Sequence, residues 1–262
     1  SAKAFKNKFG NRKAKIITSL AMFYDLERPV EFAREVYEIL VDDGIWLLEL
    51  SYLPLMLEMN SFDTICHEHL EYYGLKQIHW IMEKVGFKII DIELNEINGG
   101  SFSVTVAKSS SSIPETPDVE KLLHEEEVKG LDNNKPYDKF RNQVLAFKAN
   151  IRQLLDKIHN ENRSILGYGA STKGNVLLQF AGITEKDIPY IGEVNTDKFG
   201  SYTPGTKIPI ISEDEVRKMR PDYFLVFPWH FKKFIIEKEN ARLTKGVSFL
   251  FPLPSIEIIN LR

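Results

Sequence analysis

ILGYGASTKGN, residues 165 to 175, decides the fold. Its start is apolar and strand-like, its middle is Gly167-Tyr168-Gly169, and it opens into STKGNVLLQFAGI, which has helical apolar spacing. A strand running through Gly-x-Gly into a helix is the plan of a nucleotide-phosphate site. The glycines let the backbone approach a phosphate, and the helix start offers free N–H groups and a positive dipole end. The pattern departs from a dinucleotide fingerprint because Thr172 holds the third glycine position, and from a Walker loop because Lys173 precedes Gly174. A tight strand-to-helix turn without any ligand would read the same way. Two neighbours raise the odds for a ligand. Glu193 ends the next strand, IPYIGEV, where a ribose hydroxyl would meet it, and Lys198 lies in the turn-rich NTDKFGSYTPGT. If Gly169 approaches a phosphate, a side chain there blocks the ligand and leaves the fold intact.

Alternation continues outward. SEDEVRKMRP reads as a short helix with Ser212 as N-cap and Glu215 at the capping-box position. DYFLVFPW is a strand, FKKFIIEKENARLTKG a helix and VSFLFPLP a last strand. Upstream, AKIITSLAMFYD is a strand, PVEFAREVYEILVDDG an amphipathic helix stopped at Asp43-Gly44, and IWLLELSYL a strand. YGLKQIHWIMEKVG is a helix ending at Gly86, and FKIIDIELNEINGGSFSVTVAK is a hairpin turned at Asn98-Gly99-Gly100. KSSSSIPETPD is a linker by composition, and residues 118 to 163 are charged and helical with a break near DNNKPYD. The alternation predicts an α/β protein with parallel sheets covered on both faces. Two units, 1–112 and 163–262, are expected on either side of a helical linker, 113–162.

The 262 residues are 43% hydrophobic and 27% charged, ordinary for a globular chain with a sizeable core. A formal net charge of −3 gives no long-range pull on nucleic acid or an anionic membrane. One cysteine, Cys66, excludes an internal disulfide and a Cys-rich zinc site, and fits a cytoplasmic location. The basic AFKNKFGNRKAK followed by IITSLAMFY mimics a secretory signal. Asp25 and Glu27 follow at once and no small-residue cleavage site appears, so a buried strand is the better reading. No apolar run approaches the ~20 residues that span a membrane.

The other chemistry-bearing stretch is TICHEHLEYY, residues 64 to 73, with His67, Glu68 and His69 in a row. Three readings are open. A metal site needs a third ligand, for which His79 or Glu71 is available but not fixed. The histidines could be hydrogen-bonded on a partly buried loop. Acid–base chemistry suits imidazole, which titrates near neutral pH and gains basicity from an adjacent carboxylate. The stretch comes after the strand IWLLELSYL, and ligands in open α/β sheets sit at such carboxyl ends. Tyr24 and Asp25, ending the first strand, are weaker candidates for the same cleft.

The combination of HEH after such a strand, NGGS, GYGAxxKGN, PGTKIPI and FLFPLP resembles the sugar-nucleotide C-methyltransferases, including those that methylate C3 of dTDP-4-keto-deoxysugars. The likeness runs along nearly the whole chain. It implies two Rossmann-like units: a methyltransferase domain that binds S-adenosylmethionine, and a C-terminal domain that helps to hold the nucleotide sugar. It implies that His69, with Glu68 beside it and His67 in the same motif, removes the proton alpha to the ketone. It assigns substrate contacts to Asn98, Gly99, Gly100 and Ser101, and to Gly167, Gly169, Lys173 and Gly174. Cys66 stands where the family often has tyrosine. AKIITSLAMFYD is similar to the fourth strand of a methyltransferase sheet. The first unit is therefore expected to be an incomplete methyltransferase-type sheet, with an incomplete S-adenosylmethionine site and no zinc domain.

Overall fold

The computed structural model describes residues 1–240 and 246–260. Its chain divides into two compact units, Ser1–Glu58 with His67–Asp138, and Met59–Cys66 with Lys139–Arg262.

The first unit runs α1 (Ala2–Phe9), β1 (Ala14–Leu20), α2 (Pro29–Ile39), β2 (Leu40–Ser51), α3 (Leu53–Glu58), α4 (Leu75–Val85), β3 (Phe87–Asn95), β4 (Ser101–Lys108) and α5 (Pro117–Lys129). Helix α6 (Lys135–Asn160) begins here and continues into the second unit. The sheet order is β1-β2-β4-β3. β1 and β2 are parallel, whereas β4 is antiparallel to both neighbours, because the turn at 98–100 folds the chain back on β3. The parallel pair expected from the alternation and the hairpin expected at Asn98-Gly99-Gly100 thus share one mixed sheet. The strands obey the two-residue period: Trp46, Leu48 and Leu50 of β2 and Phe102, Val104 and Val106 of β4 are buried, under Ala33 and Val36 of α2 and Ile78, Ile81 and Met82 of α4. Helix α2 stops at Ile39, short of Asp43-Gly44, and those residues extend β2 instead. Lys15 and Lys108 secure this added stretch, with Lys15 Nζ donating to the Asp43 carbonyl at 3.0 Å and Lys108 Nζ to Asp42 at 2.8 Å.

Helix α4 starts at Gly74 without a capping side chain of its own, and a buried glutamate from α5 takes that place. Glu126 accepts from the amides of Leu75 and Lys76 at 2.5 and 3.0 Å and is only 4% exposed. Helix starts leave unpaired N–H groups, and a carboxylate there also meets the positive dipole end. Glu126→Ala should destabilise the fold by about 1–3 kcal/mol, through two orphaned amides in a dry site. Urea denaturation measures this, and a loss below about 0.5 kcal/mol would show that water replaces the cap.

The second unit adds β5 (Ile165–Tyr168), α7 (Thr172–Ala181), β6 (Ile191–Glu193), β7 (Ile210–Ser212), α8 (Glu213–Lys218), β8 (Tyr223–Val226), α9 (Lys232–Asn240), β9 (Ser248–Phe251) and β10 (Glu257–Asn260). The order is β10-β9-β8-β5-β6-β7, parallel except for β10. The chain leaves β5 toward β6 and returns on its other side as β8, which makes the end of β5 a topological switch point. The Ser212–Glu215 capping box forms as read. The expected helix over 231–246 is present as α9, and its residues 241–245 lie outside the described residues. The helical segment 113–162 is not a separate body: α5 packs in the first unit, and α6 buries Phe147, Ile151, Leu155 and Ile158 in the core of the second. No described helix is long and apolar enough to cross a membrane.

Candidate functional site

In the first unit three loops gather at the carboxyl ends of β1 and β2. One is Ala21–Asp25, directly after β1. The second is 67–73, whose Tyr73 bridges Tyr52 just beyond β2. The third is Asn98–Ser101, where Ser101 pairs with Ser51 and the Gly100 carbonyl accepts from the Tyr52 amide at 3.2 Å. His67 and Glu68 form an exposed turn, and His69 is half-buried. The His69 ring lies against the buried ring of Tyr24, with centroids 4.4 Å apart and planes at 57°. The next residues fix it there: the amides of Leu70 and Glu71 both donate to the Tyr24 carbonyl, at 3.0 and 3.1 Å. Asp25 sits close enough to His69 and Glu68 to feel both charges. Burial pushes its carboxyl pKa up, His69 pulls it down, and Glu68 pushes it up again. A histidine with Asp25 within electrostatic reach and Glu68 next to it in the chain is a candidate for general acid–base chemistry. Among the described residues no three His, Cys, Asp or Glu side chains come together as a metal cluster.

The glycine turn at 98–100 closes the β3–β4 hairpin, and the Ser101 hydroxyl is spent on the Ile97 carbonyl at 2.9 Å. This gives Gly99, Gly100 and Ser101 a structural task, whatever else the turn does.

In the second unit the glycine loop is built much as its sequence suggested, but with different jobs for its residues. Glu193 is buried and braces the loop: its carboxylate accepts from the amides of Ala170, Val194 and Asn195 at 3.0, 2.7 and 3.0 Å. Lys198 clips the same loop, donating to the Ala170 carbonyl at 2.8 Å. Ser171 caps α7 through the Gly174 amide at 3.0 Å. Gly167 and Gly174 are small because neighbours lie over them: a Cβ would stand 2.6 Å from Ile191 and 3.0 Å from Phe227 at Gly167, and 2.8 Å from Phe227 at Gly174. Gly169, Ser171, Glu193 and Lys198 line a cleft of about 570 Å³. The exposed rings of Phe231 and Phe234 also line it. Aromatic rings, a lysine and a helix start around one cleft suit a planar ring carrying an anionic group.

Lys173 does not line that cleft. Its pKa is lowered by burial, against the pull of Asp63 and Cys66. Asp63 is fully buried, accepts from Trp229 Nε1 at 2.7 Å, and has its pKa raised by burial and drawn back by Lys173. His230 completes the group. Burial and the charge of Lys173 hold its pKa down to about 4. Sequence reading passed over Asp63, Trp229 and His230, since nothing in NSFDTIC or FPWHF has the spacing of a site.

A base whose folded pKa lies below its unfolded value binds fewer protons when folded. The stability tied to neutral His230 is thus complete above its ordinary value of 6.5 and is lost as pH falls toward 4. Between those limits the parent should lose stability on the order of 2 kcal/mol more than His230→Phe does. Parallel denaturation curves for the two proteins would refute this.

Residues 96–254 match the C-methyltransferase C-terminal domain, and residues 2–92 match a methyltransferase domain. The chain belongs to the C-methyltransferase family. Among curated proteins it is similar to the C-methyltransferase NovU of Streptomyces niveus, 31% identical over 230 residues. That alignment takes in 88% of this chain and 55% of NovU, so the chain spans about half the length of the curated relative it matches. Remoter likenesses include LepI in complex with SAM (10% identity, TM-score 0.32, 37% of this chain and 27% of that one). Another is M1.HpyAVI (15%, TM-score 0.28, 42% and 51%). At these scores neither adds to the family assignment.

Proposed function

We propose that the protein acts in transfer of a methyl group to the carbon alpha to the ketone of a nucleotide-linked keto sugar, with His69 as the base. The observation that carries this is His69 held on Tyr24 beside Asp25, at the carboxyl ends of parallel strands, in a chain of the C-methyltransferase family. A carbon next to a ketone is a weak acid, so its proton leaves only to a positioned base while the enolate oxygen is stabilised. His69 takes the proton, and Asp25 and Glu68 offset the charge that appears on its ring. The reading gives the nucleotide part of the substrate to the cleft of the second unit, and implies a small-molecule partner and a cytoplasmic location.

The methyl donor that goes with the family is S-adenosylmethionine, which supplies an electrophilic methyl when bound. The residues after β1 read Ala21-Met22-Phe23-Tyr24-Asp25, and those after β2 read Tyr52-Leu53-Pro54. Neither turn is a glycine loop. The steps assigned to this chain are those of its own side chains.

The test is incubation of the full-length protein with a dTDP-4-keto-deoxysugar and S-adenosylmethionine. The expected product is heavier by one CH2 and carries the new carbon–carbon bond alpha to the ketone. Binding of the sugar nucleotide without any product would leave a binding module. Reduction of NAD in place of methyl transfer would make the second unit that of an oxidoreductase.

A further inference from the structure

Glu193 ends β6, the strand after the glycine loop, where the acid of a nucleotide-binding crevice takes the hydroxyls of a ribose. A carboxylate offers about four lone-pair sites. Here Oε1 accepts from the amides of Val194 and Asn195 at 2.7 and 3.0 Å. Oε2 accepts from the Ala170 amide at 3.0 Å, and Lys198 Nζ stands 3.5 Å from it. The lone pairs are thereby taken, and the residue is only 7% exposed. A ribose hydroxyl that bonded to Glu193 would have to displace a loop amide and leave it unpaired in a dry place.

The other acceptors that line the cleft are spent in the same way. Glu213 accepts from Lys238 at 3.0 and 2.7 Å, and from Arg217 as well. The Tyr168 hydroxyl donates to Glu239 and accepts from Lys238, both at 2.9 Å. What the cleft keeps to offer is of another kind. Lys198 Nζ retains an N–H beyond its bonds to the Ala170 carbonyl and Glu193. Ser171, at the start of α7, lines the cleft with it, and so do the exposed rings of Phe231 and Phe234. A lysine and a helix start suit a phosphate, and the rings suit a base.

We propose that this cleft grips a nucleotide by its phosphate and its base and does not read the 2′-hydroxyl, so that ribonucleotides and deoxyribonucleotides bind alike. The inference rests on the reading of the cleft as the site for the nucleotide part of the substrate. A site built to hydrogen-bond a hydroxyl rejects the analogue that lacks it, because the site's own polar groups are then left unpaired. Glu193 has no such group to lose, since its partners are the loop and Lys198.

The experiment is calorimetric titration of the protein with dTDP and with 5-methyl-UDP, which differ in the 2′-hydroxyl alone. The two Kd values should agree within about threefold, and Phe234→Ala should weaken both by about tenfold, the scale of one lost stacking contact. In folded Glu193→Gln both ligands should weaken by the same factor, because the loop that holds the phosphate loosens. A preference of about tenfold or more for either nucleotide overturns the proposal, as the hydroxyl is then bound or excluded. Weakening of 5-methyl-UDP alone in Glu193→Gln overturns it too. If that variant fails to fold, the comparison in the parent decides alone. Binding of neither nucleotide, or binding of both untouched by Phe234→Ala, removes the reading of the cleft and this inference with it, whereas a preference removes the inference only.

Discussion

His69→Asn should lower methyl-transfer turnover by about two orders of magnitude or more while substrate binding is retained. Asparagine keeps a polar group of similar reach but takes no proton near neutral pH. The change weakens the ring contact with Tyr24, but His69 is only half-buried, so the cost in stability should be small. His67→Asn should cost far less turnover, since His67 sits on an exposed turn. The three readings of the motif separate cleanly. A metal site would make both histidines matter alike and would be silenced by a chelator. A purely structural role would lower the melting temperature and leave turnover per folded molecule unchanged. Side-by-side kinetics and melts of the two variants, with and without chelator, distinguish them. Near-normal turnover in folded His69→Asn removes the proposed base.

The parts of this arrangement that were legible in the sequence are those written in local chemistry. Periodicity marked β1, β2, α4 and the β3–β4 hairpin, and Ser212 with Glu215 marked the cap of α8. β7 and β10 were not legible: three and four residues long, they carry too few alternations to show a period. Helix α2 reads too long in the sequence because Asp43-Gly44 looks like a helix stop. Its end is set instead by pairing, with Ala14 opposite Leu40 and a register shift that takes up Asp42 to Gly44. The candidate site divides in the same way. HEH and the glycine loop announced themselves as motifs. The burial of Lys173 beside Asp63, and the use of Glu193 as a brace, depend on residues over a hundred positions apart or on loop geometry. Tyr24, a weak candidate in the sequence, carries the His69 ring from the turn that follows β1.

Gly169 shows how a motif residue can be required for a reason other than its ligand. As part of the glycine motif it is expected to meet a phosphate, and Gly169→Val is then expected to spare the fold. Gly169 has a φ of +81°, which costs an L side chain about 1–2 kcal/mol. A Cβ there would also stand 2.7 Å from Cδ and 2.8 Å from Cγ of Pro228, a ring that cannot swing aside. Overpacking of this kind adds about 1–3 kcal/mol. Gly169→Val should therefore destabilise the protein by about 2–5 kcal/mol, a large share of the stability of an ordinary domain. Gly182 supplies the control. It has a φ of +65° and nothing within 4 Å of an added Cβ, so Gly182→Ala carries the backbone cost alone, about 1 kcal/mol. Urea denaturation of both variants separates strain from collision. If Gly169→Val costs no more than Gly182→Ala, Pro228 yields and the glycine is there for what enters the cleft. If it costs several times more, loss of nucleotide binding in that variant says nothing about a phosphate contact, and the cleft must be probed instead at Phe234, whose exposed ring can be truncated without disturbing the loop.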